Sequence, residues 1–167
     1  MTKALPILRL KSGRERAVLS RHPWIFSGAV DQFPECEDGA LVEVHSATGD
    51  RLGSGYANRR SAIQCRMLSF DQLPPYEAVT LNLQRAVQLR QQLIDLDTNA
   101  YRVVNGEGDM LPGLIVDRYD ELYVIQSGTL GVDKLIPVVL EFLGRELKAR
   151  YVYEKSLGCL LYTSDAA

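Results

Sequence analysis

Short strand-like segments separated by turn residues dominate the first half of the chain. In the clearest of them apolar and polar residues alternate, which is the period of a strand with one buried face; Val42 and Val44, for example, alternate with Glu43 and His45. The strands predicted here cover residues 5–10, 40–46 and 62–68, with another that starts at Arg51 after a turn at 48–50. Short strands with glycine-rich turns predict a small β barrel over residues 1–70.

A short helix and an apolar cluster interrupt this pattern. The helix is predicted over residues 14–19 and must end before Pro23, because proline fixes its own φ and disfavours helical geometry in the residue before it. The next three residues are Trp24, Ile25 and Phe26. We expect this cluster to anchor the segment in the core, with Trp24 as a core residue rather than a stacking surface.

Helical periodicity characterises the second half. Apolar residues recur on one broad face between Val79 and Leu96, which predicts an amphipathic helix. A second helix is predicted from Asp133, as its N-cap, to Lys148, with Pro137 close enough to the first turn to be tolerated. The strands predicted between and after the helices cover residues 101–104, 113–117 and 122–126, with a further strand from Tyr151.

A proline-containing linker at residues 73–75 separates the two patterns. We therefore predict an α+β fold, with a β domain over residues 1–74 and an α+β connector domain over residues 75–156. The chain has 167 residues, 46% of them hydrophobic, and a mean hydropathy of -0.09. This composition is long enough and apolar enough for two small cores.

Composition also excludes several classes of protein. No apolar stretch of about 18 residues and no signal-peptide core occurs, so we expect no membrane association and a cytoplasmic location. The cysteines, Cys36, Cys65 and Cys159, are odd in number and lack C-x-x-C spacing, so neither a disulfide framework nor a zinc site is indicated. His22 and His45 belong to no ligand motif, and we predict no metal site.

Charge is distributed unevenly along a chain whose net charge is only -2. Residues 1–70 hold ten basic and seven acidic residues, a balance of +3, whereas residues 71–167 hold nine and fourteen, a balance of -5. One basic cluster comprises Lys11, Arg14, Arg16 and Arg21. The other comprises Tyr56, Asn58, Arg59, Arg60 and Ser61. We expect Arg66 to reach the same RNA-binding groove as these residues. Such clusters fit RNA phosphates, with Tyr56 stacking on a base; a solvated basic surface is the alternative.

No catalytic constellation is visible in the sequence. Gly53-Ser54-Gly55 lacks the third glycine of a dinucleotide fingerprint, and the glycine-rich segment 105–113 lacks the Lys-Ser/Thr ending of a P-loop. The carboxylates in or near that segment are Glu107, Asp109 and Asp117. They suit acid–base chemistry or Mg²⁺, although turn chemistry explains them more simply. We therefore assign no catalytic, cofactor-binding or metal-binding residue, and interpret Cys65 as a small core residue.

Three strings of residues carry a family resemblance. They are KSGRER at 11–16 continuing to RHPWIFSGAV at 21–30, then GYANRRSAIQCR at 55–66, and YRVVNGEGDMLPGLIVDRY at 101–119. Their sequences and order resemble the S-adenosylmethionine-dependent, large-subunit ribosomal RNA cytosine-5 methyltransferases over residues 5 to about 156. The resemblance implies a PUA-like RNA-binding pseudobarrel in the first domain and the family's middle α+β domain in the second.

The chain departs from the family pattern in two places. After residue 156 the family continues into a Rossmann-like methyltransferase domain that holds the methyl donor and the catalytic cysteines. Here residues 157–167 resemble translated adapter sequence, so we expect a non-native tail and no catalytic domain in this chain. Met110 stands where the family usually has glycine, which would stiffen that loop without changing its role.

The resulting hypothesis is an RNA-binding N-terminal fragment of a ribosomal RNA methyltransferase. It would bind large-subunit ribosomal RNA and present it to a catalytic domain that this chain lacks, so S-adenosylmethionine is implied only for the parent protein. Two alternatives stay open, a free-standing PUA-type RNA-binding adaptor without catalysis and a purely structural assembly module. An adaptor predicts an authentic stop after residue 156, and an assembly module predicts self-association without RNA affinity.

Overall fold

A computed structural model describes residues 4–95 and 97–155 of the chain. The chain divides into two compact units, with the division between Ala78 and Val79. The expected non-native tail, residues 157–167, lies outside the described residues. No helix in the described part is long and apolar enough to cross a membrane.

The first unit is a nearly closed six-stranded barrel with one short helix. The strands are β1 Ile7–Leu10, β2 Trp24–Phe26, β3 Val30–Gln32, β4 Leu41–His45, β5 Arg51–Ala57 and β6 Ile63–Ser69, and the helix α1 spans Arg16–Leu19. They lie in the order β2-β6-β5-β4-β1-β3 across the sheet, and every pair is antiparallel except β1–β4. All predicted strands are present, and β2 and β3 are additions, since the sequence analysis treated residues 24–26 only as an apolar cluster and showed no element at residues 30–32.

The interior of this barrel is apolar and closely filled. Leu8, Val42, Val44 and Met67 have no exposed surface and belong to one cluster with Cys65, which is equally buried. The assignment of Cys65 to the core is therefore confirmed. Burial raises the pKa of the Cys65 thiol to about 12, because removal from water disfavours the charged thiolate.

We expect Cys65 to resist alkylation in the folded protein. At pH 8.5 an unfolded thiol is about half ionised, whereas the raised pKa of Cys65 leaves almost no thiolate. Peptide mapping after iodoacetamide treatment should find Cys65 modified at least ~100-fold more slowly in buffer than in 8 M urea. The stability that this thiol contributes is complete below about pH 8.5 and decreases as the pH rises towards 12. Equal modification rates in buffer and urea would contradict the buried position.

The end of α1 follows from the sequence around Pro23. Arg21 takes a left-handed conformation with φ of 59°, and its N–H donates to the carbonyl of Val18 over 2.9 Å. The His22 N–H donates to the carbonyl of Ala17, also over 2.9 Å. These bonds satisfy carbonyls at the helix end, and the chain then leaves in the extended geometry that a following proline favours.

The second unit packs two helices on a four-stranded sheet. The sheet runs β10-β9-β8-β7, antiparallel except for the β10–β9 pair. The bounds are α2 Pro75–Leu93, β7 Ala100–Asn105, β8 Leu114–Tyr119, β9 Leu122–Ser127, α3 Leu130–Glu146 and β10 Tyr151–Glu154. Helix α2 ends at Leu93 rather than at the predicted Leu96, which lies outside the described residues. Proline suits the first turn of α2 because that position needs no N–H partner.

The predicted start of the second helix was wrong. Its N-cap is Thr129, whose Oγ1 accepts the N–H of Val132 over 3.3 Å, rather than Asp133. Asp133 instead lies in the first turn, where a carboxylate complements the helix dipole. Pro137 consequently lies inside the helix, beyond its first turn. The helix accommodates it on an exposed face.

Alternation along β8 and β9 gives the second sheet one buried and one open face. Val116, Tyr123 and Ile125 are buried, as are apolar residues of α2 and α3 such as Val79, Leu83, Val139 and Leu143. Their neighbours Ile115 and Gln126 are only partly buried and lie opposite each other in register. Ile115 and Gln126 on this second face line a pocket.

Candidate RNA interface

A groove lies beside helix α1 in the first unit. It has a volume of about 620 Å³ and lies between α1 on one side and strand β2 with the following 3-10 turn, Ser27–Ala29, on the other. The residues that line it are Gly13, Arg14, Arg16, Ala17, Val18, Ser20, Trp24, Ile25, Phe26, Gly28 and Ala29. Its size is in the range of small-molecule and nucleotide pockets, about 300–1,000 Å³.

Two arginines on the groove have no acidic partner. Arg14 and Arg16 are exposed, and neither forms an ion pair with any residue in the described ranges. Glu15 lies between them in sequence but accepts the N–H of Ala47 over 3.2 Å. Hydrogen bonds from backbone N–H groups, its own first and then that of Ala47, hold the pKa of Glu15 below its ordinary value. The two guanidinium groups therefore stay available to an anionic ligand.

Lys11 borders the same groove. Its Nζ donates to the carbonyl of Gly28 over 3.3 Å, and its backbone N–H donates to the carbonyl of Ala29 over 2.9 Å. These two bonds fix the end of β1 against the 3-10 turn. The ammonium group keeps its remaining protons for a second acceptor.

Trp24 and Phe26 line the groove, whereas the sequence analysis placed them in an apolar cluster that anchors the core. Trp24 is half-buried and lines the groove, so the expectation of a core tryptophan was wrong. Its ring meets that of Phe26 edge to face, with centroids 6.3 Å apart, and Phe26 is 49% exposed. Ile25 between them is buried, because neighbouring residues on a strand point to opposite faces. Applied to these three residues, that alternation predicts one core residue and two outward aromatics.

The second predicted cluster is divided by the structure. Tyr56 is 1% exposed and Asn58 is 2% exposed, so Tyr56 has no open ring face on which a base could stack. Residues 53–57 of β5 are all buried, so both faces of this interior strand are covered. Asn58 has a structural role, because its Oδ1 accepts the N–H of Arg60 over 3.1 Å and shapes the turn after β5.

The rest of that cluster forms an exposed hairpin tip. Arg59 lies over the ring of Phe33 at 4.4 Å, so its guanidinium is committed to a neighbouring loop. Arg60 is 89% exposed and only 3.5 Å from Asp38, which makes this ion pair weak and easily exchanged. Ser61 Oγ accepts the N–H of Ile63 over 3.2 Å.

A backbone bond connects this tip with the groove. The N–H of Ser27 donates to the carbonyl of Ala62 over 2.9 Å, which brings the turn before β6 against the 3-10 turn that closes the groove. Arg66 lies opposite Trp24 in the pairing of β2 with β6. Arg21 is directed elsewhere, 3.4 Å from Asp71 and over the ring of Phe70. Arg14 and Arg16 therefore line the groove, whereas Arg21 is turned towards Asp71 and Phe70.

The carboxylates of the glycine-rich segment have structural partners. Asp109 forms a two-pronged ion pair with Arg90, and Asp117 receives a hydrogen bond of 2.8 Å from Arg102. The bond to Asp117 holds the pKa of Arg102 above its ordinary value. In the described residues no group of three or more histidine, cysteine or acidic side chains is suited to a metal ion.

The described residues also do not fit S-adenosylmethionine. Nucleotide-type cofactors of open α/β proteins bind at the carboxyl ends of a mostly parallel sheet. The two described sheets are largely antiparallel, with one parallel pair in each. The described residues of these two units therefore offer S-adenosylmethionine no site of that type.

Comparison with known proteins identifies the first unit. Residues 8–70 match the family model of the PUA-like domain, so the barrel with its α1 groove is a PUA-like domain. The chain is also homologous to curated proteins called ribosomal RNA large subunit methyltransferase I. The protein of Shewanella denitrificans is 33% identical over 154 residues, and that of Aliivibrio fischeri is 32% identical over 151 residues. The predicted PUA-like fold and the predicted relationship to ribosomal RNA methyltransferases are both confirmed.

These relatives are much longer than the region they share with the chain. The match to the Shewanella protein covers 89% of this chain but 39% of the relative. Among solved structures, a Streptococcus mutans protein described as a SAM-dependent methyltransferase has the same fold. Its TM-score is 0.75 at 18% identity, over 90% of this chain and 40% of that one. A second structure with the same statistics, SMU.776, is described as complexed with SAH.

Proposed function

We propose that the PUA-like unit binds single-stranded or looped RNA in the groove beside α1. The observation that carries this proposal is the pair of exposed, unpartnered guanidinium groups, Arg14 and Arg16, on a groove that also presents Trp24 and Phe26. Unpaired cations attract phosphates, and aromatic faces stack on unpaired bases. A solvated basic surface would need no aromatic side chains among its cations.

The arrangement divides recognition into two parts. Arg14, Arg16 and Lys11 contact the sugar–phosphate backbone and fix its path along α1. Trp24 and Phe26 receive one or two bases that have left the helical stack, as is usual for sequence-specific RNA recognition. Arg60 at the hairpin tip extends the path beyond the 3-10 turn.

For the whole protein we infer a role in modifying ribosomal RNA of the large subunit. The relatives named above support this role, and the S-adenosylhomocysteine complex of a structural neighbour supports S-adenosylmethionine as the methyl donor of the parent protein. The sequence resemblance to cytosine-5 methyltransferases favours cytosine C5 as the methylated atom. In this proposal the two units bind and orient RNA, methyl transfer takes place in a domain that they do not contain, and the parent protein works in the cytoplasm.

Charge reversal on the groove tests RNA binding directly. We expect the double variant Arg14→Glu/Arg16→Glu to bind a fluorescently labelled large-subunit ribosomal RNA hairpin at least ~10-fold more weakly in anisotropy titrations. The plot of log affinity against log salt should flatten by about two units, one for each lost phosphate contact. Phe26→Ala should weaken binding, by about 1–3 kcal/mol per stacked base, without changing that slope.

The control is Arg85→Glu, which reverses an exposed charge on α2. This variant should have the same RNA affinity and the same salt slope as the chain without substitutions. Duplex DNA of equal length should bind more weakly than the RNA hairpin, because the aromatic groove needs unpaired bases. If Arg14→Glu/Arg16→Glu and Phe26→Ala both bind RNA with the affinity of the chain without substitutions, the groove is not the RNA site.

A further inference from the structure

A second pocket lies at one end of the open sheet face in the second unit. It has a volume of about 440 Å³, which is also within the range of ligand pockets. Two glycine-bearing segments surround it, one around the 3-10 turn Gly106–Asp109 and one at the junction of β9 and α3. Its lining includes Glu107, Gly108, Ile115, Gln126, Gly128 and Lys155.

The walls of this pocket are held rigidly from behind. The Asp109 carboxylate, paired with Arg90, also accepts the N–H of Asn105 over 2.6 Å. Asn82 Nδ2 donates to the carbonyl of Met110 over 2.9 Å and supports the residue that ends the turn. Met110 has a φ of 58° there, a conformation that favours glycine. A preformed pocket loses little entropy when a ligand binds.

Two glycines on the pocket are not required by the backbone. The φ angles of Gly108 and Gly128 lie outside the left-handed region, and an added Cβ would find its nearest atom at 3.5 Å in both cases. That distance is ordinary van der Waals contact, so alanine would fit either position without strain. Because Gly108 and Gly128 have no side chain, the pocket has open space beside exposed backbone. Glycines are found in this role where a ligand approaches the main chain closely.

The polar side chains on the pocket suit a nucleotide. Gln126 lies opposite Ile115 in register, so a planar ring resting on Ile115 has its edge next to a carboxamide that offers both a donor and an acceptor. Neither the Gln126 carboxamide nor the Lys155 ammonium is held by another side chain in the described part of the chain. Lys155 supplies a cation for phosphate, and Glu107 supplies an acceptor for a 2′-hydroxyl or an exocyclic amino group.

We infer that this pocket binds a single unpaired nucleotide of RNA, with its base on Ile115 and Gln126 and its phosphate at Lys155. The inference rests on the proposed RNA-binding function and adds a second contact point in the other unit. One extruded nucleotide fits the pocket better than a duplex, because only an unstacked base exposes its whole edge.

Mononucleotide titration tests this inference separately from the groove. We expect each nucleoside 5′-monophosphate that binds to shift the NMR signals of the Gly108 and Gly128 amides and the Gln126 side-chain amide in ¹⁵N-labelled full chain. The shifts should saturate at millimolar concentration. Ribose 5-phosphate, which has no base, should bind at least ~3-fold more weakly. Equal shifts from both ligands, or no saturable shift from any mononucleotide, would overturn the inference.

Matched variants locate the shifts. Gln126→Leu should weaken mononucleotide binding at least ~5-fold, whereas the control Gln88→Leu, on the exposed face of α2, should leave it unchanged. Gly128→Ala narrows the pocket without straining the fold and should also weaken binding. Wild-type affinity in both pocket variants would overturn the inference.

The groove variant separates this inference from the proposed function. Arg14→Glu/Arg16→Glu should leave the mononucleotide shifts intact while RNA affinity falls. Loss of the shifts in that variant would assign them to the groove and overturn the nucleotide pocket. RNA binding without any mononucleotide shift at Gly108 or Gly128 would contradict the pocket alone. Mononucleotide shifts without RNA affinity would contradict the proposed function and, with it, the assignment of the pocket to a nucleotide of RNA.

Discussion

We expect Gly53→Ala to unfold the PUA-like barrel, or to destabilise it by about 4 kcal/mol or more. Two independent penalties act at this position. Its φ of 150° is a conformation that residues with a side chain rarely adopt, and an added Cβ would lie 2.1 Å from the carbonyl oxygen of Ser69. Because that oxygen belongs to the paired strand β6, relief requires separation of β5 from β6, two interior strands of the six-stranded sheet.

Trp24 gives a direct measurement of this effect. It is the only tryptophan and lies in the first unit, so its fluorescence during urea denaturation reports the stability of that unit. The matched control is Gly28→Ala, where an added Cβ finds no atom within 4 Å. This control should change the free energy of unfolding by less than about 1 kcal/mol. If Gly53→Ala unfolds at the same urea concentration as the control, β5 and β6 do not approach each other closely enough at Gly53 to exclude a side chain.

The barrel was predictable because its strands obey a local rule. Alternation in 40–46 and 62–68 records which side chains face the core, and the turn residues between strands mark where the chain reverses. Two strands, β2 at Trp24–Phe26 and β3 at Val30–Gln32, were not predicted because three residues are too short to show a period. The pairing of β3 with β1 also includes a register irregularity at Arg9 and Leu10.

Burial of a whole strand is not a local property. The expectation that Tyr56 stacks on RNA assumed that β5 has one open face, whereas residues 53–57 are buried on both. Whether both faces of a strand are covered depends on what the rest of the fold packs against them, and a single strand carries no record of that packing. The same limit applies to Trp24, because its place on a groove depends on α1 packing beside β2.

Partners at long range explain the remaining differences at the site. Turn chemistry was the simpler interpretation of Asp109, and its bond to the N–H of Asn105 fits that interpretation. Its strongest partner is Arg90, which lies on a helix 19 residues earlier in the chain. Hydrophobic periodicity gives no signal for such a pair, because both residues read as polar positions. The start of α3 was misplaced for a related reason, since Thr129 and Asp133 are both acceptable N-caps.

We expect Asp109→Asn to destabilise the second unit by about 3–5 kcal/mol, the usual cost of removing one partner from a buried ion pair. The Asp109 side chain is 5% exposed and that of Arg90 is 15% exposed. Arg90 also donates to the carbonyl of Arg102 over 3.1 Å, so it cannot turn out to water without breaking a further bond. An asparagine leaves this cation without a counter-charge and presents an N–H₂ group to it.

Circular dichroism at 222 nm measures this effect because α2 and α3 are the long helices among the described residues. The control is Glu141→Gln, which breaks an exposed ion pair with Arg145 on α3 whose two side chains are 67% and 73% exposed. Surface pairs of this kind contribute less than about 1 kcal/mol. Arg90→Met in the Asp109→Asn background should recover part of the lost stability, because it removes the unpaired charge. Equal destabilisation by Asp109→Asn and Glu141→Gln would mean that the Arg90–Asp109 pair is as weak as a solvent-exposed one and does not hold the walls of the nucleotide pocket.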